Sequence, residues 1–144
     1  MTWRRSMSEV REDPRHELSL VTLKSIYAIC RLPMAADTSW AKGELVSVIR
    51  SRLDLQGTTV ICDESSVPAE GVEADGGWHA VRFDGVFGFG EVGVLNSVLG
   101  PLSRARVPVI SISTFETDYI LVKAHRYDRV MEVLRDAGHT VDGV

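Results

Sequence analysis

The feature that most restricts the fold of this chain is a pair of β-rich runs, residues 107–113 and 117–123, joined by a short polar turn. β-branched and aromatic residues are frequent in both runs, which predicts a β-hairpin. The turn contains neither glycine nor proline, and hydroxyl, aromatic and carboxylate side chains occupy it instead. Asp118 stands where the second strand should begin, although aspartate is a poor strand former. Since a residue placed against its propensity often marks a functional site, the turn is the first candidate site.

The periodicity of the chain around this hairpin predicts strands and helices in a defined order. The glycine-rich segment 85–93 leads into an amphipathic helix, and Gly138 follows a second helix in the position that commonly ends one. The βαββαβ order is that of the ferredoxin-like α+β fold, a four-stranded antiparallel sheet with both helices on one face. The predicted elements are β 78–84, α 92–105, β 107–113, β 117–123, α 125–137 and β 139–142.

The first half of the chain contains strand patterns but no clear helical period. Strands are predicted over 17–32, 44–51 and 58–63, and residues 65–77, rich in glycine and acidic side chains, are predicted to form a loop.

Short similarities connect the two halves. Cys30–Arg31–Leu32 resembles Val81–Arg82–Phe83, and residues 46–49 resemble residues 109–112. We interpret the first half as a repeat that has lost most of one helix. The expected organisation is therefore a disordered tail over 1–16, a degenerate repeat over 17–77 and a domain over 78–144.

Composition excludes several classes of protein. The net charge is −4, which gives no reason to expect nucleic acid as the main partner. No apolar run approaches the roughly 20 residues that span a bilayer, and residues 1–15 lack the apolar core of a signal peptide. We therefore expect a cytoplasmic protein without membrane contact. Cys30 and Cys62 lie in apolar runs and are expected to be reduced core residues, with a disulfide possible only if their strands are neighbours.

Metal, cofactor and catalytic sites find little support. The four histidines are scattered, and neither cysteine belongs to a C-x-x-C pair, so no metal is expected. The glycines of 85–93 do not have the spacing of a dinucleotide fingerprint, and no cofactor is expected. No nucleophile has the local context of a catalytic triad. Glu116 and Asp118 could act as acid and base, but nothing else in the sequence supports an enzyme, and no catalytic residue is assigned.

The same residues suit the binding of a free amino acid. The N-terminus of the helix at 92–105 offers unpaired N–H groups to a carboxylate, and Gly88, Gly90 and Gly93 permit close approach to the backbone. Asp118 or Glu116 could take the ammonium group, and the Thr114 hydroxyl could add a neutral hydrogen bond. The alternatives are that Asp118 only bonds the turn itself, that Phe115 only packs, and that the glycines are ordinary loop residues.

The turn also resembles a known family. Residues 112–122, whose centre reads Ser-Thr-Phe-Glu-Thr-Asp, are similar to the hallmark turn of CASTOR-type tandem ACT-domain proteins. Weaker likenesses at 27–33, 78–82, 93–95 and 101–102 follow in the expected order, so that the resemblance covers roughly residues 18–141.

The resemblance implies tandem ACT repeats, the first one degenerate, that act as a regulatory module rather than an enzyme. ACT domains bind amino acids or other small ligands at interfaces between domains and usually pair sheet edge to sheet edge. Members of the family sense arginine, and related ACT pairs regulate aspartate kinases. The arginine sensors have two ACT pairs and this chain has one, so the identity of the ligand does not carry over. The positions that match ligand contacts in the family are Thr114, Phe115, Asp118, Gly93 and Val94.

Two functions from different classes follow. The first is an amino-acid-binding regulatory domain that acts by changing domain or dimer contacts, with a homodimer as the expected assembly. The second is a structural or protein-interaction domain whose pocket is filled by its own side chains. Substitution of Asp118 by alanine should abolish a ligand response in the first case and change nothing in the second.

Overall fold

The computed structural model describes residues 16–85 and 93–143. These residues form two compact units. Unit 1 contains the described residues up to Thr22 and from Ala80 onward, and unit 2 contains Leu23–His79. The predicted division into a tail, a repeat over 17–77 and a domain over 78–144 remains a prediction, and residues 1–15 of the tail lie outside the described residues.

Two long strands, β1 and β4, contribute residues to both units, and the shorter elements belong to one unit each. None of the helices in the described residues has the length and apolarity needed to cross a membrane. The strands are β1 (Ser19–Pro33), β2 (Ser47–Arg50), β3 (Gly57–Asp63), β4 (Glu73–Asp84), β5 (Ile110–Ser113), β6 (Asp118–Lys123) and β7 (Thr140–Asp142). The helices are α1 (Val94–Arg104) and α2 (Tyr127–Asp136), with short 3₁₀ turns at Glu64–Ser66 and Ala124–Arg126.

Unit 1 is an α+β arrangement with the predicted hairpin at one edge of its sheet. β5 pairs antiparallel with β6, and β4 lies on the other side of β6. Alternate residues of β4 and β6, among them Phe83 and Ile120, belong to one buried cluster with residues of both helices. The antiparallel sheet with two helices is therefore confirmed. The cluster comprises Leu18, Leu20, Val81, Phe83, Val94, Val98, Leu102, Val107, Ile120, Val122, Val130, Met131, Val133, Leu134 and Val141.

One strand of unit 1 pairs differently from the prediction. β7 runs parallel to the start of β1, with Leu20 opposite Val141. The sequence pattern assigned this part of β1 to the first repeat, because strand-forming residues continue through residue 32 without a glycine or proline to mark a boundary. Backbone pairing groups it with the second half, which an unbroken strand pattern cannot reveal.

Unit 2 contains no α-helix anywhere in residues 23–79, and strands form most of its regular structure. β3 pairs antiparallel with both β1 and β2. The predicted loop at 65–77 is partly wrong, since β4 already begins at Glu73. The first residues of β4 include glycines and acids, which have low strand propensity. An ion pair of 2.5 Å between Arg31 Nε and Glu73 Oε2 joins this start of β4 to β1.

The two cysteines lie on neighbouring strands of unit 2. Cys30 is opposite Val60, and Cys62 is opposite Ala28, so the two cysteines are diagonal neighbours within one buried cluster. Both are free and buried, as predicted. Burial, reinforced by the neighbouring Cys62, raises the pKa of Cys30 to about 11, which keeps its thiol protonated at neutral pH.

Candidate functional site

The β5–β6 turn, residues 114–117, is closed by hydrogen bonds of its own threonines. The Thr114 backbone N–H donates to the Thr117 carbonyl oxygen at 2.8 Å. The Thr114 hydroxyl donates to the same oxygen at 3.0 Å and accepts from the Thr117 N–H at 3.2 Å. The Thr114 hydroxyl thus reinforces the backbone closure of a turn that contains no glycine.

A second set of hydrogen bonds fixes the turn in unit 1. The Thr117 hydroxyl donates to the carbonyl oxygen of Phe83 on β4 at 2.8 Å. At the base of the turn, the Ser113 hydroxyl donates to Asp118 Oδ1 at 2.5 Å. Because Phe83 is fully buried in the core, the turn is attached to a rigid part of the molecule.

A surface cavity of about 570 Å³ lies between this turn and the end of β4. Its volume falls within the range of about 300–1,000 Å³ that is typical of small-ligand sites. We call it the turn cavity. Its lining residues are Arg82, Asp84, Gly85, Thr114, Phe115, Glu116, Thr117 and Tyr119.

The turn cavity carries charges of both signs. Arg82 Nη2 lies 3.6 Å from Asp84 Oδ1, and the two side chains are 34% and 56% exposed. Glu116 is exposed on the turn. A half-exposed lining with one guanidinium and two carboxylates can receive a molecule that itself carries both signs of charge.

Three of the six predicted ligand-binding residues line the turn cavity, namely Thr114, Phe115 and Glu116. Phe115 is 60% exposed, so its ring is accessible.

Asp118 lies outside this lining. As the first residue of β6 it has the parity of Ile120 and Val122, which face the helices, whereas Tyr119 lines the cavity. Its carboxylate receives the Ser113 hydroxyl, which agrees with the alternative that Asp118 bonds within the hairpin itself.

Gly93 and Val94 mark the start of α1 and are also absent from the cavity lining. Gly93 has a φ of +84°, a conformation that glycine adopts without strain, and its carbonyl accepts from the Ser97 N–H at 2.9 Å. The side chain of Val94 is buried in the core. Gly88 and Gly90, the other two glycines predicted to allow a ligand close to the backbone, lie outside the described residues.

Sequence reasoning missed Arg82, Asp84 and Tyr119 as neighbours of the turn. The alternation of side chains along β4 could have identified two of them. Val81 and Phe83 are buried, so Arg82 and Asp84 must share the other face of β4. Only the pairing of β4 with β6 brings that face next to the turn. Across the described residues, no group of three His, Cys, Asp or Glu side chains is placed to hold a metal ion.

Comparison with known proteins agrees with this architecture. The ACT domain family pattern matches residues 73–136, the segment that contains all of β4, both α-helices and the β5–β6 hairpin. The crystal structure of protein Atu0741 from Agobacterium tumefaciens is similar, with 31% sequence identity, a TM-score of 0.79, and coverage of 89% of this chain and 94% of that one.

Two more distant structures share the fold. A protein of unknown function and possible transport protein from Vibrio cholerae, VC0802, has 15% identity, a TM-score of 0.66, and coverage of 85% of this chain and 91% of its own. The regulatory subunit of aspartate kinase from Thermus flavus has 8% identity, a TM-score of 0.58, and coverage of 85% and 99%. A comparison with curated proteins gives no significant match. The chain therefore belongs to the same family as Atu0741, and its residues 73–136 match the ACT domain family.

Proposed function

We propose that this protein is a cytoplasmic amino-acid-binding regulatory domain and not an enzyme. The observation that carries the proposal is the turn cavity, in which Thr114, Phe115 and Glu116 meet Arg82 and Asp84. A free amino acid is a zwitterion, and this lining offers partners for both of its charged groups. The fold shared with an aspartate kinase regulatory subunit supports the same class of function. The specific likeness to CASTOR-type proteins, with a degenerate first ACT repeat in unit 2, remains part of this proposal.

The binding residues that we propose are Thr114, Phe115 and Glu116. Phe115 presents an accessible ring, and Glu116 presents a carboxylate that makes no hydrogen bond within the described residues. Asp118, Gly93 and Val94 remain predictions, and any contact of theirs with the ligand would be made outside the turn cavity.

A thermal unfolding screen tests the proposal. Each of the twenty amino acids is added at millimolar concentration, and a ligand that binds the folded state must raise the midpoint of unfolding by mass action. We expect one or a few amino acids to do so. Phe115→Ala should remove the response and leave unfolding without ligand unchanged, since the ring is mostly exposed. A wild-type protein that responds to none of the twenty would contradict the proposal.

We further propose that the protein forms a homodimer at β2 and that ligand binding acts by changing the contacts of this dimer. This strand is the outer strand of unit 2, and Val46, Val48 and Ile49 are 44%, 42% and 55% exposed. An unprotected apolar edge strand is a template for pairing. Two copies of β2 paired antiparallel about a two-fold axis would cover this edge in both subunits.

Light scattering after size-exclusion chromatography tests the dimer. The wild type should be dimeric at micromolar concentration, and Val48→Lys should make it monomeric because a lysine on an edge strand opposes pairing. Ile110→Lys is the matched control, since Ile110 is 37% exposed on β5, the outer strand of unit 1. A monomeric wild type removes the dimer from the proposal.

The second candidate function is a structural or protein-interaction domain without a ligand. The exposed apolar side chains of β2 favour it, because such a surface suits a protein partner. It predicts an absence of thermal response to every amino acid together with normal association of the Asp118→Ala variant.

A further inference from the structure

We propose that Arg82 is the residue that receives the carboxylate of the ligand, and that the turn cavity therefore selects amino acids with a single carboxylate. The inference rests on the proposed amino-acid-binding function and goes beyond it in naming the anchor and the excluded class of ligand. None of the residues that the sequence predicted for binding is cationic, and Arg82 was not among them.

The position of Arg82 follows from the strand that carries it. On β4, Val81 and Phe83 are fully buried in the core of unit 1. The period of two then directs Arg82 and Asp84 to the opposite face, where both line the turn cavity. The strand is rigid at this point because Phe83 is buried and its carbonyl receives the Thr117 hydroxyl. A site on such a strand holds its charged groups in fixed positions.

The guanidinium of Arg82 has unused capacity for hydrogen bonding. Its contact with Asp84, 3.6 Å between Nη2 and Oδ1, is longer than a hydrogen bond. Within residues 16–85 and 93–143, Arg82 makes no hydrogen bond and no other ion pair. A guanidinium has five N–H donors in a planar fork that matches the two oxygens of a carboxylate. Arg82 can therefore bind a carboxylate without breaking a hydrogen bond to any residue of 16–85 or 93–143.

The remaining charges of the lining fix the orientation of the ligand. Asp84 and Glu116 are carboxylates, and Arg82 is the only cation among the described lining residues. With the ligand carboxylate on Arg82, its ammonium group faces Asp84 or Glu116. A second carboxylate on the ligand would approach those two acids without a cationic partner of its own, which is unfavourable. Aspartate and glutamate should therefore bind far more weakly than asparagine and glutamine.

The experiment compares wild type, Arg82→Gln and Arg82→Lys by thermal unfolding and calorimetric titration with the twenty amino acids. We expect Arg82→Gln to weaken binding of the responding amino acids about 10- to 100-fold, the effect of losing a hydrogen-bonded charge. Arg82→Lys should lose less affinity, because lysine keeps the positive charge and lacks only the planar guanidinium that can bind both carboxylate oxygens. Arg104→Gln is the matched control, since Arg104 lines a different cavity of unit 1. The selection for a single carboxylate is tested by comparing the affinity for glutamine with that for glutamate, and the affinity for asparagine with that for aspartate.

The outcomes separate this inference from the proposed function. A wild type that responds to no amino acid overturns both. A wild type that responds, with Arg82→Gln binding equally well, overturns the anchor and leaves the proposed function intact. Equal affinity for glutamine and glutamate overturns the selection for a single carboxylate. If Arg82→Gln does not fold, Arg82→Lys and the two isosteric pairs still decide the question.

Discussion

The two hairpin turns in the described part of the chain reverse its direction by different means. The β5–β6 turn in unit 1 contains no glycine, and the Thr114 hydroxyl adds two hydrogen bonds to the backbone bond that closes it. The β2–β3 turn in unit 2, residues 51–56, is closed by the Ser51 N–H, which donates to the Gly57 carbonyl at 2.7 Å, and Gly57 has a φ of +103°. A turn with several side-chain hydrogen bonds presents a polar surface, whereas the β2–β3 turn, which relies on the positive φ of Gly57, leaves its leucine side chains exposed for other contacts.

The surfaces of the two turns differ accordingly. Around the β5–β6 turn, charged and hydroxyl side chains line a cavity of about 570 Å³. On the β2–β3 turn, Leu53 and Leu55 are 97% and 88% exposed, close in sequence to the exposed edge of β2. The first arrangement suits a small polar ligand, and the second suits a protein surface.

Replacing Gly57 by alanine should give the largest loss of stability of the changes considered. A Cβ there would lie 2.9 Å from the Met34 Cβ and 3.0 Å from its Cα, and the positive φ adds backbone strain. We expect the free energy of unfolding to fall by about 2–4 kcal/mol, measured by denaturant titration.

Gly71→Ala is the matched control for this prediction. Gly71 also has a positive φ, +79°, but a Cβ there would meet nothing within 4 Å. Its substitution should cost roughly 1–2 kcal/mol from backbone strain alone. Equal losses for the two variants would show that the contact with Met34 is unimportant and that the β2–β3 turn does not depend on close approach at Gly57.

Thr114→Val tests the hydroxyl closure of the other turn. Valine keeps the shape of threonine but removes the group that donates to the Thr117 carbonyl and accepts from the Thr117 N–H. The expected loss is about 1 kcal/mol in the free energy of unfolding, because the turn is exposed and water replaces the lost partners. Thr114→Ser retains the hydroxyl and should stay within about 0.5 kcal/mol of wild type. A serine variant as unstable as the valine variant would assign the effect to packing.

Unit 2 also contains a carboxylate that stabilises the fold only when ionised. Hydrogen bonds from the Ser65 N–H and hydroxyl, at 2.9 and 2.8 Å, hold the pKa of Asp63 below its usual value. Since the folded state lowers this pKa, its contribution is present above the unfolded value of about 3.9 and is lost as the pH falls through the folded value. Unfolding followed between about pH 2 and 7 should show a smaller acid loss in Asp63→Asn than in wild type.

Asp54→Asn provides the control for the acid titration. The Asp54 carboxylate accepts no hydrogen bond from the described residues, although it lies in the same unit on the β2–β3 turn. Its substitution removes one negative charge and no hydrogen bond to a described residue, so it isolates the effect of net charge. If Asp63→Asn and Asp54→Asn reduce the loss of stability at low pH equally, the effect is due to net charge and not to the hydrogen bonds from Ser65.

The sequence predicts unit 1 better than unit 2 for a physical reason. In unit 1 the helices and strands alternate, and the change of period from two to 3.6 marks each boundary. Phe83 and Ile120 could be placed in the core on pattern alone. In unit 2 the only helical element is the 3₁₀ turn at Glu64–Ser66, and residues 73–77 belong to β4 although their composition suggests a loop. Local propensity does not contain that information.

The candidate site shows the same limit. The turn residues Thr114, Phe115 and Glu116 are recognisable because they are adjacent in sequence and unusual for a turn. Arg82 and Asp84 precede the turn by 30 or more positions in the sequence and meet it only because β4 lies beside β6. Asp118 was the favoured residue from the sequence, but the alternation of side chains along β6 and its bond to Ser113 place it outside the cavity.

The smallest expected effect on stability comes from paired substitutions at the tips of the two turns. Phe115 and Leu53 are 60% and 97% exposed, so Phe115→Ser and Leu53→Ser should each change the free energy of unfolding by less than about 0.5 kcal/mol. Their functional effects should separate. Phe115→Ser should weaken the thermal response to amino acids, while Leu53→Ser should leave that response intact and weaken self-association in light scattering. If each variant lost both properties, ligand binding and association would share one surface, and the distinction between a ligand-facing turn and a partner-facing turn would be wrong.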